Sequence, residues 1–225
     1  MTLLAVLLLA NPTPTAADAG LAAADAGSAH VAADAGSTAA LPDGGVLYRI
    51  NDPKRRDTLR FTIDGTFLQL NGVSSDIEGE VRVVAGKATA ELKVQAASIR
   101  TGDAVRDSHL RGEDWLDAKK HPYLSVKLDE LELPAEVKDA AKIALKGKGE
   151  FEIHGVKHEE PVELTVWFHK ASDQTKTRHE GDLVHVQGKC KLKLDHFKLE
   201  ARKKMPQEVG DTAEINLDAW GSTKL

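Results

Sequence analysis

The chain has 225 residues, 41% of them hydrophobic and 29% charged, with 30 basic against 35 acidic side chains and a formal net charge of −5. That balance is globular, which excludes wholesale disorder and a polytopic membrane protein. It also excludes a nucleic-acid binder, which needs a surplus of Lys and Arg to replace counterions along phosphates.

Leu3 to Ala10 is an uninterrupted apolar run. It is too short to span a bilayer as a helix and long enough for the hydrophobic part of a signal peptide. Residues 1–17 are therefore read as a signal peptide, although no Lys or Arg precedes Arg49. The expected location of the mature protein is periplasmic or secreted, with no stable membrane insertion. Ala-Ala-Asp-Ala-Gly then recurs at Ala16–Gly20, Ala23–Gly27 and Ala32–Gly36. Such small side chains bury too little apolar surface to offset ordering, so residues 18–45 are expected to be a linker. Pro42-Asp43-Gly44-Gly45 marks its end, and the folded domain is placed at 46–225.

From Leu59 onward the hydrophobic period is two. Leu59, Phe61 and Ile63 alternate with polar neighbours, as do Ala90, Leu92 and Val94, and Leu124, Val126 and Leu128. Ile143 to Ile153 continues the pattern with Gly147 and Gly149 on the apolar face, where they are expected to let a long strand bend. Val162 to Phe168, Val184 to Leu194 and Ala213 to Ala219 follow. Asn71-Gly72, Gly86, His154-Gly155 and Gly181-Asp182 read as the turns between strands. Strands that are apolar on one face only suit an antiparallel sheet that curls and closes. The expected fold is all-β, an antiparallel lipocalin-like barrel of about eight strands, with a two-sheet sandwich as the alternative.

One segment breaks the rhythm. In Thr101 to Gly112, Asp103 is a credible helix N-cap and Gly112 a stop, and Asp107 and Arg111 lie one turn apart. A single short helical insertion is predicted there.

Ser98-Ile99-Arg100-Thr101-Gly102-Asp103, Arg106-Asp107-Ser108-His109-Leu110, and Trp115-Leu116-Asp117 through His121-Pro122 together resemble the central signature of YceI-like proteins. A second block, Gly149 to Lys157 followed by Pro161-Val162, resembles the family's strand ending in a hydrophobic-His-Gly-Val turn. Val209-Gly210-Asp211 and Ile215-Asn216-Leu217 are similar to its last strand, so the resemblance runs from Tyr48 to Leu217. It implies a lipocalin-like barrel in the bacterial periplasm that holds a polyisoprenoid chain such as a quinone tail or a prenyl phosphate. Two places depart from the pattern. Arg55-Arg56-Asp57-Thr58 stands where the family usually has His-Ser, and Leu194-Asp195-His196 precedes Phe197 where it often has an arginine.

Periodicity alone favours a filled interior, since most small barrels are packed; the resemblance implies a cavity instead. By parity and size, the side chains expected to line it are Phe61, Phe67, Leu92, Trp115, Phe151, Ile153, Leu164, Val166, Phe168, Leu192 and Phe197. Arg106, Asp107, His109 and His154 are read as structural members of the family motif, with Arg106 tying the helix to the barrel through a charge-assisted hydrogen bond. An acid–base pair of Asp107 and His109 is the rival reading. Neighbouring helical residues point apart, and no Ser or Cys nucleophile with a base emerges, so no catalytic residue is assigned. The nine histidines carry no zinc signature, and no metal or cofactor is called for. Cys190 alternates with Leu192 and Leu194 and reads as a buried, inert thiol. The expected function is an exported carrier for an isoprenoid lipid; the alternative is a non-catalytic barrel scaffold or interaction module with a filled core. A homodimer is compatible with the sequence.

Overall fold

The computed structural model describes residues 44–199 and 209–224. The expected signal peptide, and the linker up to residue 43, lie outside the described residues. The elements in chain order are β1 (Val46–Asn51), β2 (Thr58–Asp64), β3 (Gln69–Ser74), β4 (Ile77–Val84), β5 (Lys87–Gln95), α1 (Ala104–Leu110), β6 (Tyr123–Glu132), β7 (Ile143–Ile153), β8 (Val156–His169), β9 (Leu183–Lys193) and β10 (Thr212–Ser222).

Strand order is β1-β4-β5-β6-β7-β8-β9-β10, every pairing is antiparallel, and β10 returns to β1 through Arg49↔Ser222. Eight strands thus close into a barrel. The β2–β3 hairpin is a side piece. It pairs with the other half of β10, from Ala213↔Ile63 to Asp218↔Thr58, so β10 changes partner along its length. What separates β1 from β2 is Asp52, whose carboxylate accepts the backbone N–H groups of Lys54 and Arg56, each at 3.0 Å. An aspartate that satisfies the amides following it stabilises a turn at the expense of the ladder.

Two expected hairpin turns are present and have left-handed backbone at both central residues: Ala85 and Gly86 (φ 48° and 79°), and His154 and Gly155 (φ 54° and 71°). That geometry matches the twist of the flanking strands. Asn71-Gly72 is not a turn. It lies within β3, where Gly72 faces Phe61 across the ladder and the Phe61 ring covers it. The β2–β3 connection is made instead by Gly65 to Leu68, closed by a hydrogen bond from Gly65 N to Leu68 O at 2.8 Å.

The helix is where the sequence places it. Asp103 caps it by accepting from Arg106 N at 2.9 Å. Asp107, buried on its inner side, accepts from Thr101 N and Thr101 Oγ1, each at 2.7 Å, and lies 3.5 Å from Arg111. The expectation that Arg106 makes this tie needs correcting. Its side chain has no ion pair or hydrogen bond among the described residues, and Asp107 holds the helix to the preceding loop. That loop is itself fixed to β3 by the Val73↔Arg100 bridge. Leu110, Trp115 and Leu116 are buried, and Leu110 and Trp115 face Ile63 and Leu70 of the hairpin.

Candidate ligand cavity

The period of two turns the apolar face of each barrel strand inward. On β8, Val162, Leu164 and Val166 are buried while Glu163 points out to Lys146 on β7, 2.8 Å away. Where these faces meet they do not fill the interior. They surround an apolar cavity of about 150 Å³ whose wall comes from β1, β2, β4 to β10 and the Leu133 loop. An empty space with apolar walls stays dry, because water there would forfeit its hydrogen bonds.

Of the side chains expected to line a cavity, Leu92, Phe151, Ile153, Leu164, Val166, Phe168 and Leu192 stand in this wall. Phe61, Phe67, Trp115 and Phe197 do not. Phe61 has the right parity, but its ring covers Gly72. Phe67 sits in the β2–β3 turn with 85% of its surface exposed. Trp115 packs beside α1, and Phe197 is buried in a 3-10 turn after β9. The wall also contains aliphatic residues that a preference for aromatic size passes over, including Leu124, Val126 and Leu128 of β6 and Ile215 and Leu217 of β10. Their shared parity in the sequence was the signal that could have found them.

The room left by the missing side chains of Gly147 and Gly149 is taken up by neighbouring side chains. Leu131 of β6 occupies the place of a Gly147 side chain, and Leu128, Val126 and Phe151 crowd Gly149. The β6–β7 ladder is correspondingly short, running only from Ser125↔Glu152 to Leu128↔Gly149, although β7 pairs with β8 along its whole length. Beyond Leu128 the wall is held by side chains instead of backbone hydrogen bonds.

At one end the cavity adjoins a vestibule of about 240 Å³ with a mixed apolar and charged lining, and Leu133 and Phe168 belong to both. Val46, Tyr48, Val83, Val137, Lys138, Asp139, His169, Lys170 and Asp182 complete the vestibule. Lys170 Nζ is 2.8 Å from Asp182 Oδ2, so the two charges offset each other. The Tyr48 hydroxyl is pushed up to about 12, by burial and then by the negative Asp182, and stays a neutral donor at the mouth. On the wall itself, burial followed by the nearby Glu160 charge pushes the Cys190 thiol up to about 12, so it is no nucleophile at neutral pH.

The motif residues lie outside the cavity wall. Asp107 is buried and His109 exposed on α1, so the two do not form an acid–base pair. His154 meets His121 edge to face, with centroids 5.4 Å apart. Where the family usually shows His-Ser, this chain builds a charge network. Arg56 Nε donates to Asp52 Oδ2 at 2.7 Å, Arg56 Nη2 donates to Arg178 O at 2.6 Å, and Arg178 Nη2 donates to Asp57 Oδ1 at 2.5 Å. These bonds tie the β1–β2 turn to the β8–β9 loop.

A YceI-like domain family model matches residues 48–220. The chain belongs to the YceI-like family. No curated protein matches it. Among solved structures, this YceI-like chain is similar to a polyisoprenoid binding domain from Saccharophagus degradans implicated in plant cell wall breakdown, at 16% identity and a TM-score of 0.59, covering 78% of this chain and 97% of that one. It is also similar to BcnA of Burkholderia cenocepacia, at 19% identity and 0.58, covering 76% and 98%. The YCEI protein of Campylobacter jejuni gives 18% and 0.53, covering 66% and 82%. At such identities the likeness establishes the YceI-like barrel fold. Among the described residues no helix is long and apolar enough to cross a membrane.

Proposed function

We propose that this protein is an exported, periplasmic or secreted carrier that buries the apolar chain of an isoprenoid lipid inside its barrel and performs no catalysis. The observation that carries the reading is the cavity itself: a closed barrel whose inward side chains are apolar on nearly every strand and yet leave an apolar space that meets a vestibule carrying Lys170 and Asp182. A scaffold needs no such space, and leaving it empty forfeits dispersion contacts along the whole wall. The likeness to a polyisoprenoid binding domain supports the same reading. Each methylene taken from water contributes about 0.8 kcal/mol, so a long chain supplies ample binding energy.

The cavity volume sets a condition. About 150 Å³ suits a benzene-sized group, so a chain of several prenyl units enters only if inward side chains repack. The stretch beyond Leu128 is the place for that, because there no β6–β7 backbone hydrogen bonds must break. The test is titration of delipidated protein with a prenyl quinone or a prenyl phosphate, followed by calorimetry. Saturable binding at one chain per barrel supports the carrier, and absence of binding to both probes makes the scaffold the better reading.

A further inference from the structure

We propose that His158, Glu160 and His196 form a binding site for a borderline divalent transition metal, with zinc as the probe. The site is independent of the lipid reading. His158 and Glu160 have the parity of Val162 and Leu164, so they stand on the inward face of β8, opposite Phe151 and Gly149. They lie in its first turn-proximal residues, where β8 has no partner on its other side: the β8–β9 ladder reaches only to Val162↔Cys190. The 3-10 turn Leu194–Phe197 fills the gap and brings His196 to them.

One ring nitrogen of His158, one of His196 and a Glu160 carboxylate oxygen all lie within 4.8 Å of one another. His196 Nδ1 is 2.6 Å from Glu160 Oε1. His158 Nδ1 is 3.4 Å from the same oxygen but not in hydrogen-bonding geometry, and this buried nitrogen has no other partner. Glu160 is itself 7% exposed, and among the described residues no Lys or Arg neutralises it. A buried carboxylate beside an orphaned imidazole nitrogen is costly for a site with no function, and a cation satisfies both groups at once.

The chemistry of the donors selects the cation. Two imidazoles and a carboxylate suit zinc and its neighbours, with three protein ligands and a fourth position left to water. Calcium and magnesium prefer oxygen alone. Bonds near 2.0–2.1 Å in a tetrahedron require ligand atoms about 3.3 Å apart, so His158 Nδ1 already stands at that separation from Glu160, while the 2.6 Å His196–Glu160 contact must lengthen and the rings must turn for both nitrogens to face one ion. The imidazoles are now stacked, with centroids 3.9 Å apart and a tilt of 27°. Both are partly open to solvent, at 41% and 34% side-chain exposure, so an ion can reach them. A second cluster, Asp117, His121 and His154, has similar spacing. Its carboxylate already has a cation, Lys120 Nζ at 3.1 Å, which makes it the weaker site and a built-in control.

Calorimetric titration of tag-free, chelator-treated protein with Zn²⁺ tests the assignment. We expect one tight ion per barrel, affinity lowered at least tenfold by His158→Ala and by His196→Ala, and no change with His154→Ala. Zinc should also raise the melting temperature of wild-type protein and of His154→Ala. If the two variants fail to fold, anomalous diffraction from zinc-soaked wild-type crystals decides, with a peak expected between His158 and His196. Absence of binding, binding that survives both substitutions, or a peak at His121 and His154 would overturn the proposal.

Discussion

Leu131 stands where a side chain at Gly147 would be, across the gap at which β6 and β7 stop exchanging backbone hydrogen bonds. Gly→Ala at an unstrained strand position ordinarily stabilises by about 0.4–1 kcal/mol through the unfolded chain. Here the new methyl group meets Leu131, and overpacking of that kind costs about 1–3 kcal/mol. Gly147→Ala is therefore expected to lower stability in urea unfolding. In a Leu131→Ala background the same change should be neutral or stabilising, a coupling that a double-mutant cycle measures.

Asp107 and its neighbour Arg106 should separate cleanly. Asp107→Asn weakens two hydrogen bonds to a buried carboxylate and an ion pair, and is expected to cost about 1.5–3 kcal/mol. Arg106→Ala removes no polar contact to a described residue and should stay within about 0.5 kcal/mol. Thermal melts of both variants check the order; a larger loss at Arg106 would contradict the assignment of Asp107 as the tie.

Asp52 sets an acid limb. Burial alone would raise its carboxyl, but the Arg56 guanidinium and the N–H groups of Lys54 and Arg56 outweigh that and hold it well below the usual carboxylate range. A folded-state value below the unfolded one, about 3.9, adds stability that is fully present above that pH and is lost as pH falls through the folded value. Wild-type protein should thus be more stable than Asp52→Asn at neutral pH, and the difference should shrink below about pH 4. Equilibrium unfolding across that range reads the convergence; a constant gap would contradict it.

The thiol of Cys190 faces the cavity and is protonated throughout the neutral range. Iodoacetamide at pH 8 should modify it slowly in folded protein and fast in denaturant, with mass spectrometry following the adduct. Rapid labelling of the folded state would place the residue elsewhere.

The fold was legible because period two fixes which face is apolar, and Val162, Leu164, Val166 and Phe168 show it without any partner in view. The capping residue Asp103 and the left-handed His154-Gly155 turn were equally local. The site was legible only where parity suffices. Phe61 has inward parity, yet its ring is taken up by a glycine on the neighbouring strand, and register between strands is not a local property. Phe197 continues a strand pattern past the point where the chain turns into a 3-10 helix. His158 and His196 meet only because β8 and β9 separate, so no spacing motif announces them.

The central claim is that the barrel holds an isoprenoid chain, and organic extraction of protein purified from its native host, followed by mass spectrometry, tests it most directly. Val166 lines the cavity at 6% exposure, and Thr165 points the other way. An arginine at 166 would fill the space and introduce an unpaired charge, so the comparison is made on variants shown to be folded by circular dichroism. Wild-type protein and Thr165→Ala should yield a polyprenyl compound at close to one per barrel, and Val166→Arg should yield none. Recovery of no lipid from wild-type protein, or equal recovery from Val166→Arg, would contradict the account.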